Sequence, residues 1–140
     1  MKVFVDANIL VATLNKEYPL FTWSARLLSL QGKHNVQLFT SPLCLAIAFY
    51  FSSKKSGDNL ARKKMMLLCE NIEITTINEE ITKQAVENPR IHDFEDGLEY
   101  YSAFHSKCDC IVTENVQDFY FSEIVIKGCE EFIKGLQRDK

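Results

Sequence analysis

The residues best suited to chemistry in this chain are carboxylates and amides spread over three separated segments. Asp6 and Asn8 stand at the end of a short apolar run in MKVFVDANIL. Asp93, Glu95, Asp96 and Glu99 crowd into HDFEDGLEYY (92–101), and Thr113, Asn115 and Asp118 follow in IVTENVQDF. Carboxylates brought into one cleft repel one another unless a cation lies between them, and oxygen donors with a few waters suit Mg²⁺ or Mn²⁺. Such an ion lowers the pKa of bound water and stabilises negative charge at phosphorus. The chemistry this points to is phosphodiester hydrolysis, with the protein supplying ligands rather than a nucleophile.

Each of these residues also has a plain structural use. Asp6 can cap the first helix, and Asp93 the helix that begins beside it. Glu95 and Glu99, in or near a first turn, suit the helix dipole and read as solvated. Asn115 and Asp118 suit turns. Asp96 is harder to place, because it shares a helix face with Asp93 and Tyr100 and aligns with Ala103 toward the core. An acid aimed at apolar surroundings needs a partner. The three histidines, His34, His92 and His105, have no paired spacing, and no Gly-rich phosphate loop is present. Lys54, Lys55, Arg62, Lys63 and Lys64 form the one basic cluster, which reads as a solvated helix face before it reads as a phosphate contact.

The elements that must carry these residues alternate between strand and helix. Lys2–Val5 is a short apolar strand, and a helix from Asn8 to about Asn15 follows, with Asn8 as its cap. Pro19 suits the first turn of a second helix reaching Gly32, and Val36–Phe39 is a second strand. Ser41-Pro42 caps and opens a helix whose core, LCLAIAFYF, is apolar nearly all round and is expected to be buried. Phe21, Trp23, Phe49, Tyr50 and Phe51 are mostly expected in the core. SSKKSGD (52–58) reads as a loop, and a helix covers about 59–70. IEITTI (72–77) is a third strand, and Asn78 caps a helix that Pro89 ends. A helix over about 93–106, strands CIVT (110–113) and EIVI (123–126), and a last helix near 130–136 complete the chain. Short apolar strands between helices imply an α/β fold, a three-layer α/β/α sandwich on a mostly parallel sheet of about five strands. Ligands in such a sheet sit beyond the carboxyl ends of the strands, where Asp6 and Thr113 fall.

The bulk properties are those of one globular domain spanning residues 1–140. Net charge is −3, which argues against a strongly basic nucleic-acid coat. The five cysteines are odd in number and hold no CxxC pair, which fits a reducing compartment. Cys108 and Cys110 would share one strand face and read as buried thiols. No stretch is apolar for long enough to span a membrane, and the N-terminus lacks the form of a signal peptide, so the expected location is the cytoplasm.

Taken in order, FVDANIL, TSPLCLAIAFYF, DFEDGLEYYSAF and CDCIVTENVQDF resemble a PIN-domain protein of the VapC-like toxin type, over Val3 to Phe132. The resemblance implies a ribonuclease that binds Mg²⁺ or Mn²⁺ in a cluster of acids, with an RNA substrate, an antitoxin protein as possible partner, and homodimers. It puts the metal ligands at Asp6, Asp96 and Asp118 and adds Asn115 to the catalytic set. Asn8, Thr113, Asp93 and Glu99 are supporting residues. Two departures stand out. Many members carry a glutamate in the helix after the second strand, where this chain has Ala46, Ile47 and Ala48, and Asn115 is an amide where many have a carboxylate. They open the alternative of a degenerate PIN domain that binds protein or RNA without cutting. A phosphatase with Asp6 as nucleophile would want an acid at position 8, which is Asn8.

Overall fold

In a computed structural model describing residues 1–138, five strands form one all-parallel sheet in the order β3-β2-β1-β4-β5. The last two positions of the expected 1–140 span lie outside the described residues. β1 (Lys2–Val5) is central, with β2 (Gln37–Thr40) on one side and β4 (Cys110–Val112) on the other. β3 (Glu73–Ile74) and β5 (Val125–Lys127) form the edges. Val3, Phe4 and Val5 are consecutive and all fully buried, so both faces of the sheet are covered. Burying a side chain the size of Phe4 contributes roughly 2–3 kcal/mol.

Seven helices are found among the described residues. α1 (Ala7–Leu14) and α2 (Leu20–Leu28) connect β1 to β2; α3 (Pro42–Ser56) and α4 (Asp58–Asn71) connect β2 to β3. α5 (Glu79–Glu87) and α6 (Phe94–His105) then cross back to β4. Right-handed crossovers put α1–α4 on one face and α5 and α6 on the other, because the chain travels in opposite directions along the sheet. α7 (Cys129–Arg138) packs against α2. The connections leaving β1 and β4 diverge, and this opens a crevice at their carboxyl ends.

Several local expectations need correction. Asp6, not Asn8, caps α1, with its carboxylate accepting the Ala7 N–H at 2.6 Å. The segment 52–58 is not a loop: α3 runs to Ser56, and only Gly57, at φ +83°, separates it from α4. The polar residues there continue α3, and the left-handed backbone of one glycine suffices for the break. α3 is not buried all round either. Cys44, Ala48 and Ser52 are buried, whereas Tyr50 and Phe51 are exposed, because α3 packs on α1 and α4 along one side only. Phe21, Trp23 and Phe49 are part-buried. Of IEITTI only Glu73–Ile74 pairs, at a sheet edge with one neighbour, and the last strand begins at Val125 rather than at 123. A 3₁₀ turn, Val116–Phe119, follows β4.

The basic cluster has a structural use. Lys55 Nζ donates to the Asn15 carbonyl and Lys64 Nζ to the Leu14 carbonyl at 2.8 Å, covering the C-terminal end of α1. Lys54 and Arg62 lie over the rings of Tyr50 and Phe49.

Candidate active site

Asp6 leaves the end of β1 and enters the crevice while its own backbone N–H still pairs with Val112 of β4 at 3.0 Å. It is 5% exposed, and its carboxylate is well supplied with donors. Oδ1 accepts the Ala7 N–H at the start of α1, where the helix dipole favours an anion. Oδ2 accepts the Thr113 hydroxyl at 2.7 Å and lies 3.5 Å from the Asn8 amide nitrogen. Thr113, the first residue beyond β4, also accepts from Asn8 Nδ2 at 3.2 Å and from the Asn115 N–H at 3.0 Å. Asn8 Oδ1 in turn accepts the Glu114 N–H at 3.3 Å. A hydrogen-bonded stitch across β1 and β4 therefore fixes the direction of Asp6.

The second group of acids comes from α6. Asp93 caps this helix, accepting the Asp96 N–H at 3.1 Å, and so secures the turn that carries Asp96. Gly97 lets that turn lie against α5: a Cβ there would come within 3.1 Å of Ile91 and 3.2 Å of Ala85. Asp96 is half-buried at the crevice wall. Burial, then the charges of Asp93, Asp6, Asp118 and Glu95, raise its carboxyl to about 7. Glu99, expected to be solvated, is 3% exposed. It stands one turn beyond Asp96 and one before Ala103, so it lies on the inward stripe of α6. Burial first, and then Asp6, push its carboxyl up to about 10.

α3 brings the third wall. Ser41 caps it by accepting the Cys44 N–H at 3.1 Å, and Cys44 then points inward, its Sγ donating to Glu99 Oε1 at 2.7 Å. Ligand atoms of Asp6, Cys44 and Glu99 all lie within 4.8 Å of one another. Ile47, one turn further, lines the same crevice, whereas Ala46 is exposed and Ala48 is in the core. Of the three positions offered for the helix glutamate, Ile47 is thus the one that faces the acids.

The crevice encloses about 370 Å³ and is lined by five acids, Asp6, Glu17, Glu95, Asp96 and Glu99, with Asn8 and Asn115 among the other lining residues. No Lys, Arg or His lines it. Among the described residues the ion pairs are Lys83–Glu79 and Lys134–Glu130, both exposed and remote in sequence from these acids. Asp118 is exposed in the 3₁₀ turn and Asp93 at the head of α6; both bear on Asp96 through their charge but neither lines the crevice. The donor set is oxygen-rich, anionic and lacks a protein counter-charge, which fits a hard divalent cation.

Sequence reasoning passed over Cys44, and it misread Glu99 as solvated. The signal for Glu99 was available in its spacing from Asp96 and Ala103. For Cys44 the signal was weaker, a thiol in the first turn of a helix that follows a strand.

Solved structures with this fold include VapBC-1 from nontypeable Haemophilus influenzae, at a TM-score of 0.70 and 18% identity, covering 93% of this chain and 99% of that one. VapBC2 from Rickettsia felis, bound to a DNA fragment from its promoter, aligns at a TM-score of 0.69 and 20% identity, covering 91% and 98%. VapC20 from Mycobacterium tuberculosis, a toxin that cleaves the sarcin–ricin loop, aligns at 0.62 and 16%, covering 78% and 86%. At these identities the likeness is one of fold. No curated protein matches by sequence. The family model of the PIN domain matches residues 2–117, most of the chain, and the protein belongs to the PIN-domain family.

Proposed function

We propose that the protein is a Mg²⁺- or Mn²⁺-dependent endoribonuclease of the toxin type. The observation that carries this reading is the crevice itself: five acids converge there without one protein cation. A divalent ion, when bound, would supply a polarised water and charge stabilisation at phosphorus. Asp6 and Asp96 are the crevice ligands of this reading, and Asp118, outside the crevice lining but close enough for its charge to act on Asp96, is its third ligand. Asp6 is held in direction by Thr113 and Asn8, and Asp96 by the capped first turn of α6. Glu99 adds a carboxylate from beneath the crevice and takes the place of the acid that Ile47 lacks. Asn115, on the crevice wall, orients water or a phosphate oxygen without adding charge. The substrate in this reading is RNA, whose single strands reach an open crevice more readily than a paired duplex does.

The protein would act in the cytoplasm; no helix among the described residues is long and apolar enough to cross a membrane. An antitoxin partner is supported by the fold neighbours, which include VapBC toxin–antitoxin complexes. Tyr50 and Phe51 on α3 and Met66 and Leu67 on α4, each at least 46% exposed, offer it apolar side chains, with Phe51 at the crevice itself, and a homodimer would use the same helices. One observation favours a second reading, a PIN module that binds without cutting: Ile47 presents a hydrocarbon where many members have glutamate. Incubating RNA with the protein and Mn²⁺, with EDTA and Asp96→Asn as controls, separates the two. Cleavage that both controls abolish supports the nuclease; RNA retention without cleavage supports the module.

A further inference from the structure

Four cysteines are buried, and Cys44 is the one whose thiol hydrogen-bonds a carboxylate. Its Sγ contacts Glu99 Oε1 at 2.7 Å and shares a cluster with Asp6 in which no pair of donor atoms is more than 4.8 Å apart. Glu99 is 3% exposed and sits between the Cys44 thiol, which donates to Oε1, and Asp6, whose carboxylate acts on it from the crevice side. Ionising a carboxyl so placed is costly unless a cation meets it. Around a tetrahedral ion with a metal–sulfur bond of about 2.3 Å and metal–oxygen bonds of about 2.0 Å, donors sit about 3.5 Å apart. Cys44 Sγ and Glu99 Oε1, now at 2.7 Å, would part by roughly 0.8 Å, and the remaining pairs, within 4.8 Å, would close by at most about 1.3 Å to reach that spacing.

We propose that Cys44 is a metal ligand, and that Cys44, Asp6 and Glu99 form a thiolate–dicarboxylate site that takes a thiophilic divalent ion, Zn²⁺ or Cd²⁺, in competition with the hard ion. The inference rests on the metal-centre reading above and extends it to the kind of ion that would block the site. Thiolate sulfur selects softer ions than carboxylate oxygen does. On binding, the Sγ–H bond is replaced by an Sγ–metal bond and the proton passes to the buffer, so uptake releases protons. Because the site uses Asp6, occupation by Zn²⁺ excludes Mn²⁺ from its first ligand.

The test is a Cd²⁺ titration of the full chain, followed by the ultraviolet thiolate-to-metal charge-transfer band and by calorimetry, on wild type, Cys44→Ser, Cys44→Ala and Asp6→Ala. Circular dichroism checks that each variant is folded. Exposed Cys69 contributes equally to all four and cancels in the comparison. The expected result is a band in wild type that both Cys44 variants lose, with Cd²⁺ affinity down at least about tenfold and Mn²⁺ affinity within about threefold of wild type. A band that survives in both Cys44 variants overturns the inference. So does Asp6-dependent binding of Mn²⁺ with no Cys44-dependent band, an outcome that leaves the nuclease reading standing. Failure of both ions to bind in an Asp6-dependent way overturns both.

Discussion

The two ends of α1 treat charge in opposite ways. At the C-terminal end, Lys55 and Lys64 reach across from α3 and α4 to the Asn15 and Leu14 carbonyls, so cations meet the negative end of the helix dipole. At the N-terminal end, about 12 Å away along the helix axis, Asp6 meets the positive end, and that much is equally favourable. There the resemblance stops. Glu99, Asp96, Glu95 and Glu17 join Asp6 in the crevice, and no lysine, arginine or histidine lines it. The chain has 16 Lys and Arg in all, so cations are not scarce; none is directed there. One end is balanced by lysines of the folded chain, whereas at the other the acids are relieved by the protons that Asp96 and Glu99 retain, or by a bound cation that displaces them. That contrast is what the proposed cation-binding crevice would exploit.

The largest expected effect comes from removing one crevice charge. Asp96→Asn should lower Mn²⁺-dependent RNA cleavage by at least about 100-fold, the usual cost of losing one electrostatic group in a site. The fold should be unharmed or more stable, because repulsion is relieved. Full activity in a cleavage assay would remove Asp96 from the site. The converse experiment adds a charge. Ile47 faces the crevice and is only partly buried, so Ile47→Glu should fold and raise Mn²⁺ affinity by roughly tenfold, read by calorimetry. Unchanged affinity would mean that position 47 does not reach the ion.

A smaller effect is expected in the metal-free protein as pH changes. The folded chain holds a proton on Asp96 up to about 7, whereas the unfolded chain releases it near 3.8, the ordinary value for an aspartate. Stability from this group is therefore full below about pH 4 and is lost as pH rises through about 7. Glu99 extends the decline toward about pH 10. The thermal midpoint without metal should fall between pH 5 and 8, and Asp96→Asn should flatten the slope. After solvent screening at this half-buried site, the Asp96 share is about 1 kcal/mol. Mn²⁺ competes with these protons, so the stabilisation it gives should grow with pH. A midpoint that rises with pH in the metal-free protein would contradict the crevice electrostatics. The smallest effect belongs to the other end of α1. Lys64→Met should cost about 0.5–1 kcal/mol by denaturant unfolding and leave metal affinity unchanged; a change in affinity would mean the two ends are coupled.

What could be read from the chain was what is decided locally. β1, the Ser41-Pro42 start of α3 and the Asn78 cap of α5 depend on a few neighbouring residues, and each lies where its sequence pattern puts it. The parallel sheet followed from the alternation of short apolar runs with helices. Gly57 was not legible as a single-residue break, because SSKKSGD has the composition of a loop while its first five residues complete α3. The crevice was legible as three acidic segments, since a parallel sheet gathers the ends of β1 and β4. Its floor was not. Glu99 and Cys44 are 55 positions apart and become neighbours only when α3 and α6 meet, and burial of a polar group is decided by that packing.

The most direct test of the crevice as a metal centre is Mn²⁺ calorimetry on wild type and Asp6→Ala at moderate salt, with circular dichroism to show that the variant folds despite the loss of the α1 cap, about 1 kcal/mol. Saturable binding in wild type that disappears in folded Asp6→Ala is the expected result. Equal binding in both, or none in wild type at millimolar Mn²⁺, would contradict it.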